Sequence, residues 1–352
     1  VSRFWSPIVE TLSPYVPGEQ PRVPGLVKLN TNESPFGPSP RAIAAMQAEA
    51  GDSLRLYPDP QALALRQALA DYHGVKVENV FVGNGSDEVL AHVFAALLKR
   101  QRPLRFPDVT YSFYPTYCRL FDIASEIVPL DGKMRVRVAD YVAGGPVIVA
   151  NPNAPTGIAL SRKEIARLLR ANLDEPVVID EAYVDFGGET AIPLIADYPN
   201  LLVVQTMSKS RGLAGLRVGY GIGDAALIQG LTRVKDSFNS YPLNRIAQAG
   251  AAASVADEAY FQKTRAAIIE SRQAMVEGLT RLGFDVLPSA ANFVFARHAA
   301  RSGAEIAQAL RERAVLVRRF DQPRIADHLR ITVGSPDQVE RLLAAAEEIL
   351  QG

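Results

Sequence analysis

Between about residue 41 and residue 245, short continuous apolar runs alternate with longer stretches in which apolar positions recur at helical spacing. The runs are Asn79-Val80-Phe81-Val82, Val147-Ile148-Val149-Ala150, Val177-Val178-Ile179-Asp180, Leu201-Leu202-Val203-Val204 and Arg217-Val218-Gly219-Tyr220. A run that is apolar throughout has no solvent face, so these segments predict a mostly parallel sheet covered by helices on both sides. From about residue 246 the pattern changes. One long helical stretch, Ala247 to Leu282, precedes short strands at Phe284-Asp285-Val286-Leu287, Asn292-Phe293-Val294-Phe295, Val315-Leu316-Val317 and Leu329-Arg330-Ile331-Thr332-Val333, which predicts a smaller α+β unit. The first forty residues are rich in Pro and Gly and resist regular structure. Phe4, Trp5, Tyr15 and Leu29 are expected to anchor them as an ordered arm. The expected organisation is an arm (1–40), a large α/β domain (41–245) and a small C-terminal domain (246–352).

Composition then removes whole classes of function. Across 352 residues, 38 Lys+Arg balance 38 Asp+Glu, which leaves no electrostatic footprint for nucleic acid or an anionic membrane. Cys118, the single cysteine, cannot build a disulfide framework or a multi-cysteine zinc site. His73, His92, His298 and His328 show no ligand-like spacing, so no metal is expected. No apolar stretch is long enough to span a bilayer, and the start of the sequence lacks a secretion-signal pattern. These features predict a cytoplasmic protein acting on small molecules.

Several segments could carry chemistry. Gly83-Asn84-Gly85-Ser86-Asp87-Glu88 stands between a strand and a helix, where close backbone approach and free N–H groups suit a phosphate. A tight turn capped by Ser86 accounts for the same pattern. Neither this segment nor Gly221-Ile222-Gly223-Asp224-Ala225-Ala226 completes a Walker loop or a dinucleotide fingerprint. Asn151-Pro152-Asn153-Ala154-Pro155-Thr156-Gly157 follows a buried-type strand, either facing a site or merely reversing the chain. Asp180 ends such a strand, where a carboxylate is costly unless partnered; it is a counter-charge for a cationic group or the N-cap of a following helix. Ser208-Lys209-Ser210-Arg211-Gly212 follows the next strand, so Lys209 falls on the same rim, unless it is a solvated surface lysine. Arg217 and Arg330 are cations within apolar strands and Arg318 follows one; each suits a bound anion or an internal salt bridge.

A phosphate cradle, an acid, a lysine and arginines on one sheet edge match the needs of pyridoxal 5′-phosphate: a Schiff-base amine, a negative partner for the ring nitrogen and a phosphate site. Over nearly its whole length the chain resembles the aspartate-aminotransferase fold family, the pyridoxal-phosphate-dependent transferases of fold type I. Within it the chain is most similar to the histidinol-phosphate aminotransferase group. The resemblance rests on Leu29-Asn30-Thr31-Asn32-Glu33-Ser34-Pro35-Phe36-Gly37-Pro38, Tyr57-Pro58-Asp59, Asp180-Glu181-Ala182-Tyr183, Gly212-Leu213-Ala214-Gly215-Leu216-Arg217-Val218-Gly219-Tyr220 and Asn244-Arg245-Ile246-Ala247-Gln248.

That resemblance implies an α/β fold whose large domain holds a seven-stranded, mostly parallel sheet. It implies Lys209 as the residue that bonds the cofactor and shuttles a proton, Asp180 as the partner of the ring nitrogen, Tyr183 as the phenol on the ring 3-oxygen and Tyr111 as the aromatic stacked on the ring. The phosphate would lie on the backbone of Gly85, Ser86 and Asp87, the Ser208 hydroxyl and Arg217. Tyr57 would reach in from the second subunit of a homodimer with shared sites. Arg330 matches a clamp for the phosphate ester of histidinol phosphate or the carboxylate of glutamate, with Arg318 and Tyr15 as further phosphate contacts. Where the family has Asn immediately before Pro-Thr-Gly, this chain has Ala154; either Asn153 re-aims to serve the cofactor or Tyr183 acts alone. The implied reaction exchanges an amino group between L-histidinol phosphate and 2-oxoglutarate, in histidine biosynthesis. An aromatic amino-acid aminotransferase and a threonine-phosphate decarboxylase-like enzyme fit the same motifs. A non-enzymatic regulator would be expected to carry a DNA-binding segment, for which the arm leaves no preceding length.

Overall fold

The first strand of the computed structural model, which describes residues 2–21, 24–142 and 144–351, is the two-residue β1 (Val27–Lys28). The central sheet then takes β2 (Val80–Gly83), β3 (Leu104–Pro107), β4 (Ser125–Val128), β5 (Val147–Ala150), β6 (Val177–Asp180), β7 (Leu201–Thr206) and β8 (Gly219–Gly223). Their spatial order is β2-β8-β7-β6-β5-β3-β4. β8 runs antiparallel to both neighbours, and the other pairs are parallel. The sheet is thus the seven-stranded, mostly parallel one expected. Because successive side chains alternate in direction, Val147, Val149, Val177, Ile179, Leu201 and Val203 face one apolar layer with Leu65, Leu69, Ile165 and Leu168. Ile148, Val178, Leu202 and Val204 face the other, with Val89, Val93 and Phe106.

Arg217 does not lie in a strand as the pattern suggested. The strand starts at Gly219, and Arg217 takes a left-handed conformation (φ 57) after the single turn Ala214–Leu216. A Cβ at Gly219 would collide with the backbone of Gly85 and Ser86, so glycine is what lets the following helix start press against the sheet.

The expected helix from Ala247 to Leu282 is two helices, Arg245–Ala256 and Glu258–Arg281. They break at Asp257, whose carboxylate accepts a 2.6 Å hydrogen bond from the Ser39 hydroxyl. Ala247, Ala251 and Val255 pack into the core beneath the large sheet, so that core crosses the expected boundary at 245/246.

A second sheet follows: β9 (Phe284–Val286), β10 (Phe293–His298), β12 (Arg318–Arg319) and β13 (Leu329–Thr332), antiparallel in the order β12-β13-β10-β9, with β11 (Val315–Leu316) beside it in sequence. β11 pairs in parallel with β1, and Val27 and Leu29 are buried in this smaller core. Leu29 therefore anchors the arm. Phe4 and Trp5 do not: they are 82% and 52% exposed, and the five-residue helix Pro7–Thr11 buries no residue. Among the described residues, no helix is long and apolar enough to cross a membrane.

Candidate active site

Ala150, Asp180 and Thr206, the last residues of β5, β6 and β7, open onto one cavity. This is the carboxyl edge of the sheet, where each chain segment leaves its strand and is free to present side chains. Tyr15, Ser86, Asp87, Tyr111, Asp180, Tyr183, Ser208, Lys209, Arg217, Arg318 and Arg330 all line that cavity.

One end of it is built for an anion. The helix Gly85–Val93 begins there with no side chain capping it, and Ser86 sits inside its first turn rather than at its cap. Gly85 is left-handed (φ 83), and a Cβ on it would run into the Arg217 guanidinium. Arg217 Nη2 pairs with Asp87 Oδ2 at 2.9 Å, and Nη1 donates to Ser208 Oγ at 3.4 Å. Tyr111 Oη donates to Asp87 Oδ1 at 2.9 Å, which fixes the ring over the cavity. Backbone N–H groups, a hydroxyl and a guanidinium therefore converge, as a phosphate requires.

The middle holds the acid and the amine. Asp180 caps no helix; its Oδ1 accepts from Ala182 N at 3.2 Å and its Oδ2 from Tyr114 Oη at 2.8 Å. Burial pushes its pKa up to about 6, while those two hydrogen bonds act in the opposite sense. A cation set against it would restore the ionised form. Lys209 Nζ donates to Thr31 O at 3.3 Å and lies 5.8 Å from the centre of the Tyr183 ring. The next residue, Ser210, donates its hydroxyl to the half-buried Asp185, which ties down the loop carrying the lysine.

At the far end Arg330 Nη2 donates to Asn30 O at 2.8 Å, and its guanidinium lies 5.6 Å from the ring centres of both Phe293 and Phe320. Burial pulls its pKa below the ordinary arginine value. Arg318 reaches Val16 O at 3.5 Å, and Tyr15 packs on Phe113 with ring centres 5.0 Å apart. Asn30 Oδ1, Thr31 Oγ1 and Arg330 Nε are buried without partners around this cavity. Such atoms have capacity for a polar ligand. The donor set, the buried acid and the glycine-shaped cradle together fit pyridoxal phosphate and a second anion.

Asn153 stands apart. Its amide donates to Val109 O and Thr156 Oγ1, each at 3.0 Å, and accepts from the Thr110 hydroxyl at 3.0 Å. These bonds hold its own loop together and turn the side chain away, while Ala154 faces the cavity. Of the two alternatives that Ala154 leaves open, the re-aiming of Asn153 toward the cofactor is therefore not the one seen. Tyr57 is also outside its own chain's cavity; it is 79% exposed and stacks on Tyr241 with ring centres 4.8 Å apart. Two residues went unassigned from sequence. Tyr114 lies in the aromatic cluster Tyr111 to Tyr117, whose density was its signal, and Asn32 lies in the arm motif.

The description of the class I and II aminotransferases matches residues 24–345. A histidinol-phosphate aminotransferase of Bradyrhizobium diazoefficiens is 62% identical over 351 residues, covering 99% of this chain and 100% of that one. One from Aromatoleum aromaticum is 59% identical over the whole of both chains. The crystal structure of histidinol-phosphate aminotransferase from Sinorhizobium meliloti, in complex with pyridoxal 5′-phosphate, superposes with a TM-score of 0.88 at 25% identity, covering 100% of this chain and 98% of that one. Sequence, fold and the contents of the cavity agree, and this chain belongs to the class I and II aminotransferases, among the histidinol-phosphate aminotransferases.

Proposed function

We propose that this chain is a pyridoxal-phosphate-dependent transaminase of histidine biosynthesis that exchanges an amino group between L-histidinol phosphate and 2-oxoglutarate, giving imidazole acetol phosphate and L-glutamate. The observation that carries this reading is the grouping of Lys209, Asp180, Arg217 and Arg330 around one cavity.

Pyridoxal phosphate, when bound, supplies an electron sink that makes the C–H bond beside the amine acidic. The roles of the chain's own side chains follow from placement. Arg217, Ser208 and the open helix start bind the phosphate. Asp180 provides the counter-charge for a protonated ring nitrogen, and its raised pKa falls again once that cation is in place. Lys209 Nζ takes a proton from the substrate carbon and returns it. Tyr111 covers the site from above. Arg330 holds the phosphate ester in one half-reaction and the glutamate carboxylate in the other, which a planar fork of donors permits.

A homodimer with shared sites is part of the same reading. It is supported by the exposure of Tyr57 and of Leu54 and Leu56 beside it in sequence, an apolar group that a second copy would cover. A cytoplasmic location goes with this reading.

The test is an assay of the cofactor-loaded protein with 2-oxoglutarate and, in turn, histidinol phosphate, phenylalanine and O-phosphothreonine. Glutamate should form with the highest kcat/KM from histidinol phosphate. Faster turnover of phenylalanine, or release of carbon dioxide from phosphothreonine, would sink the reading.

A further inference from the structure

Asn32 lies where the arm, the large sheet and the small sheet meet. Its backbone is left-handed (φ 55), a conformation that asparagine tolerates better than most residues. Its N–H donates to the Thr332 hydroxyl oxygen at 2.9 Å, so the single proton of that hydroxyl is directed onward, to Asn32 Oδ1 at 3.1 Å. With Oδ1 committed, Nδ2 faces Tyr183 and donates to its Oη at 3.0 Å. The residue is buried, and its backbone carbonyl accepts from Asn292 Nδ2 at 3.0 Å, so backbone and side chain together are held by Thr332, Tyr183 and Asn292.

A phenol oxygen that accepts from an amide keeps its own proton for another acceptor, and Tyr183 lines the cavity beside Lys209. Ala154 supplies no amide on that cavity, and the Asn153 amide is occupied elsewhere. Thr332 is two residues from Arg330 along β13, on the same face of the strand. The strand that presents the arginine therefore also sets the Asn32 amide.

We propose that Asn32 is a positioning residue: it aims the Tyr183 proton into the cavity, toward the phenolic oxygen of the cofactor, and ties that aim to the strand carrying Arg330. This rests on the reading that pyridoxal phosphate occupies the cavity. A donor to the phenol strengthens the phenol as a donor in turn. The ionised form of the bound cofactor is thereby favoured and its apparent pKa lowered.

The test is a pH titration of the visible absorbance of the loaded protein. Wild-type protein without bound-cofactor absorbance would overturn the occupancy reading, and this inference with it. Given a titrating wild type, Asn32→Gly keeps the left-handed backbone but loses the amide, and should raise the apparent pKa by roughly 0.5–1 unit. Asn32→Asp, isosteric with the wild-type side chain, draws the phenol proton to its own carboxylate and should raise it further. In a Tyr183→Phe background, Asn32→Gly should add less than about a third of its original shift. Asn32 variants that titrate with the wild type would overturn the proposal, as would a Gly variant shift undiminished by Tyr183→Phe.

Discussion

The Tyr114 hydroxyl donates to Asp180 Oδ2 at 2.8 Å from a wholly buried ring. It is one of two hydrogen bonds opposing the rise that burial imposes on Asp180. Tyr114→Phe keeps the ring and loses the bond. Affinity for pyridoxal phosphate should fall about tenfold at pH 7, and part of the loss should return at pH 9, where Asp180 ionises without help. Equilibrium titration at the two pH values measures both effects, and equal affinities for variant and wild type would show that the bond has no bearing on the acid.

Glu181, next along the chain, is buried and accepts from Thr190 Oγ1, Ala191 N and Gln205 Nε2 at 2.7, 2.6 and 2.8 Å. Burial nevertheless pushes its pKa up from 4.5 to about 7. The folded state therefore binds more protons than the unfolded one in this window. The stability that Glu181 contributes is complete below about 4.5 and is lost as pH rises through about 7. Asp180 adds a slope of the same sign between 3.8 and about 6. In thermal unfolding of cofactor-free protein, Glu181→Gln should gain stability relative to wild type as pH rises from 5 to 8, and equal pH dependence in the two would remove Glu181 as the cause.

Arg330 and Arg318 should separate by substrate. Arg330→Lys keeps the charge but loses the fork, and is expected to lower kcat/KM about a hundredfold for histidinol phosphate and glutamate alike. Arg318→Gln should cost about tenfold for the phosphate ester and leave glutamate nearly unchanged. Steady-state kinetics of the two half-reactions provide the comparison; equal losses for both substrates in the Arg318 variant would remove it from phosphate recognition.

Borohydride reduction of loaded protein followed by peptide mapping should place the label on Lys209. Lys209→Ala and Tyr57→Phe, each impaired alone, should recover activity when subunits are mixed, because one site of the mixed dimer then has both residues intact. No gain on mixing would mean that Tyr57 serves its own chain.

What could be read from sequence followed from how local the cause was. β5 and β6 fall at the residues where the apolar runs are, because a strand buried on both faces announces itself at every position. Asp180 and Lys209 are legible for the same reason, Asp180 as a charge ending such a strand and Lys209 as one just past the next. Arg217 was misplaced because three glycines make β8 look like a turn region while the apolar Val218 lengthens the apparent strand backwards. The helix break at Asp257 depends on Ser39, and the orientation of Asn153 depends on Thr110 and Val109; no window of local sequence contains those partners. Asn32 is the extreme case, with partners 151 and 300 residues away.

The parallel pairing of β1 with β11 also sets the order of events during synthesis. Val27 leaves the ribosome well before its partner Val315 is made, and Asn32 waits longer still for Thr332. The large sheet can form while this segment hangs free, since domains fold as units and early ones first. The catalytic cavity cannot, because one of its walls is the strap from Asn30 to Asn32 and that wall docks last. A nascent chain that has not reached β13 thus holds the lysine and the acid without the enclosure around them, and competence arrives when residues 27–32 meet residues 315–332.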